Sequence, residues 1–127
     1  MVLLKFQKSE TMKKRIETLV PEAIDVVAIL TNDKGQIPSE YNGYISSFGA
    51  SVIQSGLVPA VAFYSNESSK SDQDKKKLLI AITKLMKIEK SLLNYVCDND
   101  NSKTKNWIID ITTAIKLAIR TYELTKK

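Results

Sequence analysis

Residues 102–124 read SKTKNWIIDITTAIKLAIRTYEL, and their spacing decides the fold class. Trp107, Ile108, Ile111, Ala114, Ile115, Ala118, Ile119 and Tyr122 recur at three- and four-residue steps, the signature of one buried helix face. Working backward along the chain, the same period returns. Leu78, Leu79, Ile82, Leu85, Met86, Leu92, Leu93 and Val96 predict a helix over residues 71–96. Leu57 to Tyr64 predicts a short, central helix with Pro59 in its first turn, where proline is tolerated. Tyr41, Tyr44, Ile45, Phe48, Val52 and Ile53 predict a helix that Ser39 starts and Gly56 ends. Met12, Ile16, Leu19, Val20, Ala23, Ile24, Val27 and Leu30 predict a first helix over residues 9–30. Pro21 must kink or divide it, because proline lacks an amide donor and crowds the preceding turn. No stretch alternates with period two long enough to demand a strand. The expectation is an all-α, single-domain bundle of about five helices over residues 1–127.

Composition agrees. In 127 residues there are 4 glycines and 3 prolines, which favours long regular elements over a turn-rich β fold. One cysteine, Cys97, permits no internal disulfide and fits a reducing compartment. The apolar start, Met1 to Phe6, is too short for a signal peptide, and no apolar run approaches the ~20 residues of a membrane span. A soluble, cytoplasmic protein is expected.

Histidine is absent, which removes the usual general base and the Ser-His and Cys-His nucleophile pairs. No phosphate-binding loop, dinucleotide fingerprint or pair of catalytic carboxylates is present. Asp98-Asn99-Asp100-Asn101-Ser102 resembles the opening of a calcium loop, but Lys103 stands where glycine is required and Ile109 where the bidentate glutamate belongs. Asn101 or Ser102 capping the last helix is the better use. Cys97 ends an apolar stripe and reads as a buried structural thiol. The residues indicate no enzyme, cofactor or metal.

Charge is unevenly spread. The net charge is +5, and 17 of the 19 basic residues are lysine. Residues 1–20 carry +3, residues 21–67 carry −4, residues 68–90 carry +4 and residues 91–127 carry +2. A basic chain with one acidic segment suits an anionic partner on one side and a different contact on the other. On the fourth helix Lys76, Lys84 and Lys87 fall opposite the apolar stripe with Ile80 among them. At 1.5 Å per residue they span about 16 Å, enough to follow several phosphates of one strand. On the last helix Lys116 and Arg120 share the outer face with Ile109. These five cations are the candidate nucleic-acid-binding residues, with an ordinary solvated face as the competing explanation. Lys13-Lys14-Arg15 is a weaker cluster that Glu17, Glu22 and Asp25 can neutralise. Trp107, Tyr41, Tyr44 and Tyr122 are expected in the core; Tyr64 and Tyr95 end their helices and are candidates for exposure.

The stretch YNGYISSFGASVIQSGLVPAVAFY, residues 41–64, resembles the signature of the small helical subunit of type III-B CRISPR effector complexes, the Cmr complex. Phe48, Ala50, Val52, Gly56, Leu57, Val61, Ala62 and Phe63 fall at matching positions without a gap. The resemblance implies a non-catalytic subunit that stacks with further copies of itself beside the other Cmr subunits. It also implies a channel where CRISPR RNA pairs with target RNA, held through phosphates. The acidic segment 21–67 is then a candidate for docking on basic protein neighbours. Two other readings stand beside this one: the small subunit of the related type III-A complex, and a stand-alone helical DNA-binding regulator. The regulator needs a recognition helix with exposed polar residues, and Leu57 to Tyr64 is too apolar to read a groove.

Overall fold

The computed structural model describes residues 15–66 and 70–125. Helix α1 runs over residues 15–26 and tightens into a 3₁₀ turn, Val27–Leu30. There follow α2 (Glu40–Ser55), α3 (Leu57–Tyr64), α4 (Lys70–Met86), α5 (Leu92–Asp98) and α6 (Ser102–Ile119). Among the described residues the fold is all-α, with one more helix than expected. The outer parts of the expected first stripe and basic cluster, Met12, Lys13 and Lys14, lie outside the described residues, as do Met1 to Phe6.

The apolar stripes meet in one core, save for Ile53 of α2, which is 60% exposed. Helix α2 packs on α6, α3 and α4; α3 also packs on α5, and the 3₁₀ turn closes over α4 and α6. Phe48, Tyr64, Ile45, Ile82, Ile111 and Ile115 are among its largest enclosed side chains. Phe48 and Tyr64 meet edge-on at 5.2 Å between ring centroids. The Tyr64 hydroxyl donates to the Tyr44 carbonyl at 2.8 Å, so this tyrosine is buried with its polar tip satisfied.

Local chemistry ends several elements as the spacing predicts. Gly56 takes φ +97°, a conformation that side chains rarely adopt, and its amide donates to the Val52 carbonyl. Asn101 caps α6, its Oδ1 accepting from the Thr104 amide at 2.9 Å. Ser39 stands at the head of α2, but its hydroxyl makes no capping bond to the helix.

Four expectations are corrected. First, of the two outcomes expected at Pro21, kinking or division, division does not occur: helix continues through it, and the winding changes at Val27. Second, the expected helix over residues 71–96 breaks in two. Lys87 adopts φ +60°, its amide donates to the Lys84 carbonyl, and the Ile88 amide donates back to Thr83 at 3.5 Å. This is the paired-bond ending usually built on glycine, here built on lysine, with Ile88 packed onto the core behind it. Ser91 then caps α5 by accepting from the Asn94 amide at 3.2 Å. Third, the break rotates α5, so Cys97 is exposed rather than buried.

Fourth, α6 stops at Ile119, and residues beyond it form a clasp. Leu124 bridges Ile37 in parallel, with the Ile37 amide donating to Glu123 at 3.0 Å and the Thr125 amide donating to Ile37 at 3.1 Å. The Ser39 amide donates to Thr125 Oγ1, and the Tyr122 hydroxyl donates to the Ile24 carbonyl at 2.8 Å. Ile37, which belongs to no helix, is thereby fully buried.

Candidate nucleic-acid interface

Helix α4 carries the densest cationic surface. Its buried face presents Leu78, Leu79, Ala81, Ile82, Leu85 and Met86, so the opposite face, with Lys76, Lys77, Ile80 and Lys84, is left to solvent. Ile80 is 42% exposed, an apolar side chain standing among lysines as expected. Two hollows open on this face. One, of about 230 Å³, lies between α4 and the segment leading into α5, with Leu79, Ile80, Thr83, Ile88, Leu92 and Leu93 as walls and Lys76 and Lys84 at its edge. The other, of about 290 Å³, is lined by Gln73, Lys76, Lys77 and Ile80. Lys77 precedes Lys84 by seven residues and so lies only about 20° from it around the helix; it belongs to this face although the predicted set omits it.

The remaining predicted cations stand apart. Lys87 leaves the helix at the break, and its ammonium lies 3.4 Å from the Glu22 carboxylate. The expected 16 Å lysine row is therefore not one continuous helix face. Lys116 is half-buried on α6, and Arg120 is exposed at that helix's C-terminal cap. Neither lines the two hollows on α4. Ile109 packs against the core instead of facing outward; the exposed apolar residue of that helix is Leu117. Arg15 reaches across to Asp110 at 3.3 Å rather than to the acids that follow it in sequence.

Aromatic groups form two further surfaces. Helix α3 buries Leu57, Ala60, Val61 and Tyr64 but leaves Phe63 62% exposed, so its expected central burial holds for one face only. The Lys75 ammonium lies 4.8 Å from the Phe63 ring centre and 5.6 Å from those of Tyr44 and Tyr64. Burial pushes the Tyr41 phenol well above its ordinary value, and the neighbouring Asp74 carboxylate adds to this. Tyr44 and Tyr64 are raised by burial as well. At the α5–α6 corner Tyr95 and Trp107 meet edge-on, 6.0 Å apart and half-exposed. Trp107, expected in the core, rests on it with one side open.

Among the described residues no helix is long and apolar enough to cross a membrane. No curated protein and no solved structure matches the chain. The model of one family does, described as CRISPR-associated protein (Cas_Cmr5), and it covers residues 15–121. That span contains the six helices α1–α6 of the described residues, the motif of residues 41–64 and the lysine face of α4. The chain belongs to the Cas_Cmr5 family, the small subunit of type III-B CRISPR complexes.

Proposed function

We propose that this chain is a non-catalytic subunit that helps hold CRISPR RNA and its target within the cytoplasmic Cmr complex, stacking with further copies of itself. The observation that carries the reading is the exposed face of α4, where Lys76, Lys77 and Lys84 surround Ile80. Lysine acts there as a point charge on phosphate, a contact that positions a strand without reading its sequence. An A-form guide–target duplex hides its base edges in a deep, narrow major groove, so backbone contact is the appropriate mode. Lys116 and Arg120 supply a second patch on α6, and Lys87 joins only by leaving Glu22. The acidic segment 21–67 is the candidate docking surface for basic neighbours in the complex.

The test is charge reversal in the assembled complex. Lys76→Glu with Lys84→Glu is expected to leave the helical fold intact and to weaken RNA retention. Each lost phosphate contact flattens the dependence of log affinity on log salt by about 0.7 to 0.9. Retention and salt dependence both unchanged would dispose of this face as the binding surface.

A further inference from the structure

We infer that the corner between α5 and α6 is a pocket for one unpaired nucleobase of single-stranded RNA, separate from the lysine face. The inference rests on the reading of this chain as an RNA-holding subunit and adds a second mode of contact to it. A cavity of about 390 Å³ opens there, lined by Tyr95, Asn99, Asn101, Lys103, Thr104 and Trp107. Its size lies within the range of small-molecule sites, about 300–1,000 Å³.

The lining has a chemistry that the fold does not use up. Tyr95 and Trp107 stand edge-to-face at 76°, so each leaves ring surface uncovered by the other. Among the described residues the Trp107 indole N–H, the Tyr95 hydroxyl, the Asn101 amide nitrogen and the Lys103 ammonium meet no protein acceptor. Asn99 spends its amide nitrogen on the Tyr95 carbonyl at 2.9 Å, which leaves its Oδ1 as an acceptor. The set therefore holds two aromatic rings, several donors, acceptors at Asn99 Oδ1 and the Tyr95 and Thr104 hydroxyls, and the Lys103 cation, with the Lys90 ammonium 5.9 Å from the Tyr95 ring centre. A nucleotide uses every part: the base stacks, its edge bonds the amides, and its phosphate meets lysine. A small carboxylate uses the cation and leaves the rings idle.

Local charge sets the balance between these terms. Lys90 is paired with Asp98 at 2.7 Å, and Asp100 stands exposed in the connection just before α6, whose first turn carries Lys103. Phosphate attraction is thus limited to about one contact, and stacking carries the affinity. Salt dependence should be shallow here, about threefold in affinity between 50 and 200 mM for one single-strand phosphate.

Trp107 is the sole tryptophan, so its emission reports this corner alone. The full-length chain is titrated with hexa-adenylate RNA, following Trp107 emission for the pocket and the anisotropy of a fluorescein-labelled copy for binding anywhere. Expected is saturable quenching by the RNA, weaker quenching by AMP, and none by inorganic phosphate. Tyr95→Ala should weaken the quenching constant about 5- to 150-fold, the range for losing one base–aromatic stack. Lys76→Glu with Lys84→Glu should change it by less than about twofold while lowering the anisotropy response. Because Tyr95 is half-buried, Lys103→Gln supplies a variant that leaves packing alone, and it should abolish the threefold salt dependence. Anisotropy without quenching overturns the pocket and leaves the lysine face standing. Quenching that survives Tyr95→Ala, or that phosphate reproduces, also overturns it. No response in either signal overturns the pocket as well, while the lysine face, proposed to hold a duplex in the assembled complex, is decided by the charge-reversal test.

Discussion

The Lys87 ammonium lies 3.4 Å from the Glu22 carboxylate, tying the break after α4 to helix α1 across 65 residues of sequence. Both side chains are at least half exposed, at 72% and 50%, so the pair itself contributes at most about 1 kcal/mol. The greater cost is in the backbone, since Lys87 holds φ +60° where a side chain is strained by roughly 1–2 kcal/mol. Lys87→Gly is therefore expected to match or exceed the native chain in stability by up to about 1 kcal/mol. Glu22→Gln, which breaks the pair and keeps the strain, should lower it slightly. Thermal unfolding of the two variants side by side separates the terms; a Lys87→Gly variant less stable than Glu22→Gln would refute the assignment.

A second prediction concerns the close approach of α2 and α6. A Cβ built on Gly49 meets Thr112 Cγ2 at 3.3 Å, and Thr112 cannot swing aside freely because its hydroxyl donates to the Ile108 carbonyl at 2.7 Å. Gly49→Ala gains about 1 kcal/mol of helix propensity but presses on that methyl group. We expect a near-neutral effect alone and a gain of up to about 1 kcal/mol over Thr112→Ser once Thr112→Ser has removed the methyl. A double-mutant cycle by denaturant unfolding reads the coupling directly.

The clasp is a third target. Tyr122→Phe removes the donor to Ile24 while keeping the ring, and should cost about 1 kcal/mol. Deleting residues 121–127 should cost several times more, because it uncovers Ile37 and leaves the Ile37 and Ser39 amides without their acceptors. Hydrogen exchange at Ile37 and Ser39 should rise sharply in the deletion and little in Tyr122→Phe.

Alkaline pH gives a fourth. The phenols of Tyr41, Tyr44 and Tyr64 are all raised above the ordinary value of 10.0, chiefly by burial. The folded chain then holds these protons when the unfolded chain has released them. Their contribution to stability is complete below pH 10 and is lost progressively as pH climbs toward the raised values. Tyr41→Phe should flatten this decline. Asp74→Asn removes a charge that helps hold Tyr41 and Tyr44 protonated, and should bring their spectrophotometric titration to lower pH.

Of the candidate site, the exposure of Lys76 and Lys84 was legible because both lie on one helix opposite a clear apolar stripe. Lys87 was not, since nothing in Lys87-Ile88-Glu89-Lys90-Ser91 announces a helix end by glycine or proline; only Ser91, a good cap, hinted at a new start. Cys97 followed the same error, because its direction depends on how α5 is rotated after the break. Tyr95 and Trp107 were readable as helical aromatics. Their shared cavity required knowing that α5 turns into α6 at an angle that leaves both rings half-covered.

By itself, the sequence determined the helical period, the helix-ending role of Gly56, the capping role of Asn101 and the apolar stripes that face inward. These depend on bonds and spacings within about five residues, so the local chain carries them. Tertiary structure alone decided the left-handed Lys87, the pairing of Lys87 with Glu22 and of Arg15 with Asp110, and the clasp of Leu124 on Ile37. Each joins groups 65 or more residues apart, or sets a backbone strain against burial elsewhere. Such choices are made by the packed core, where burying Ile88 and Ile37 outweighs what either segment would prefer in isolation.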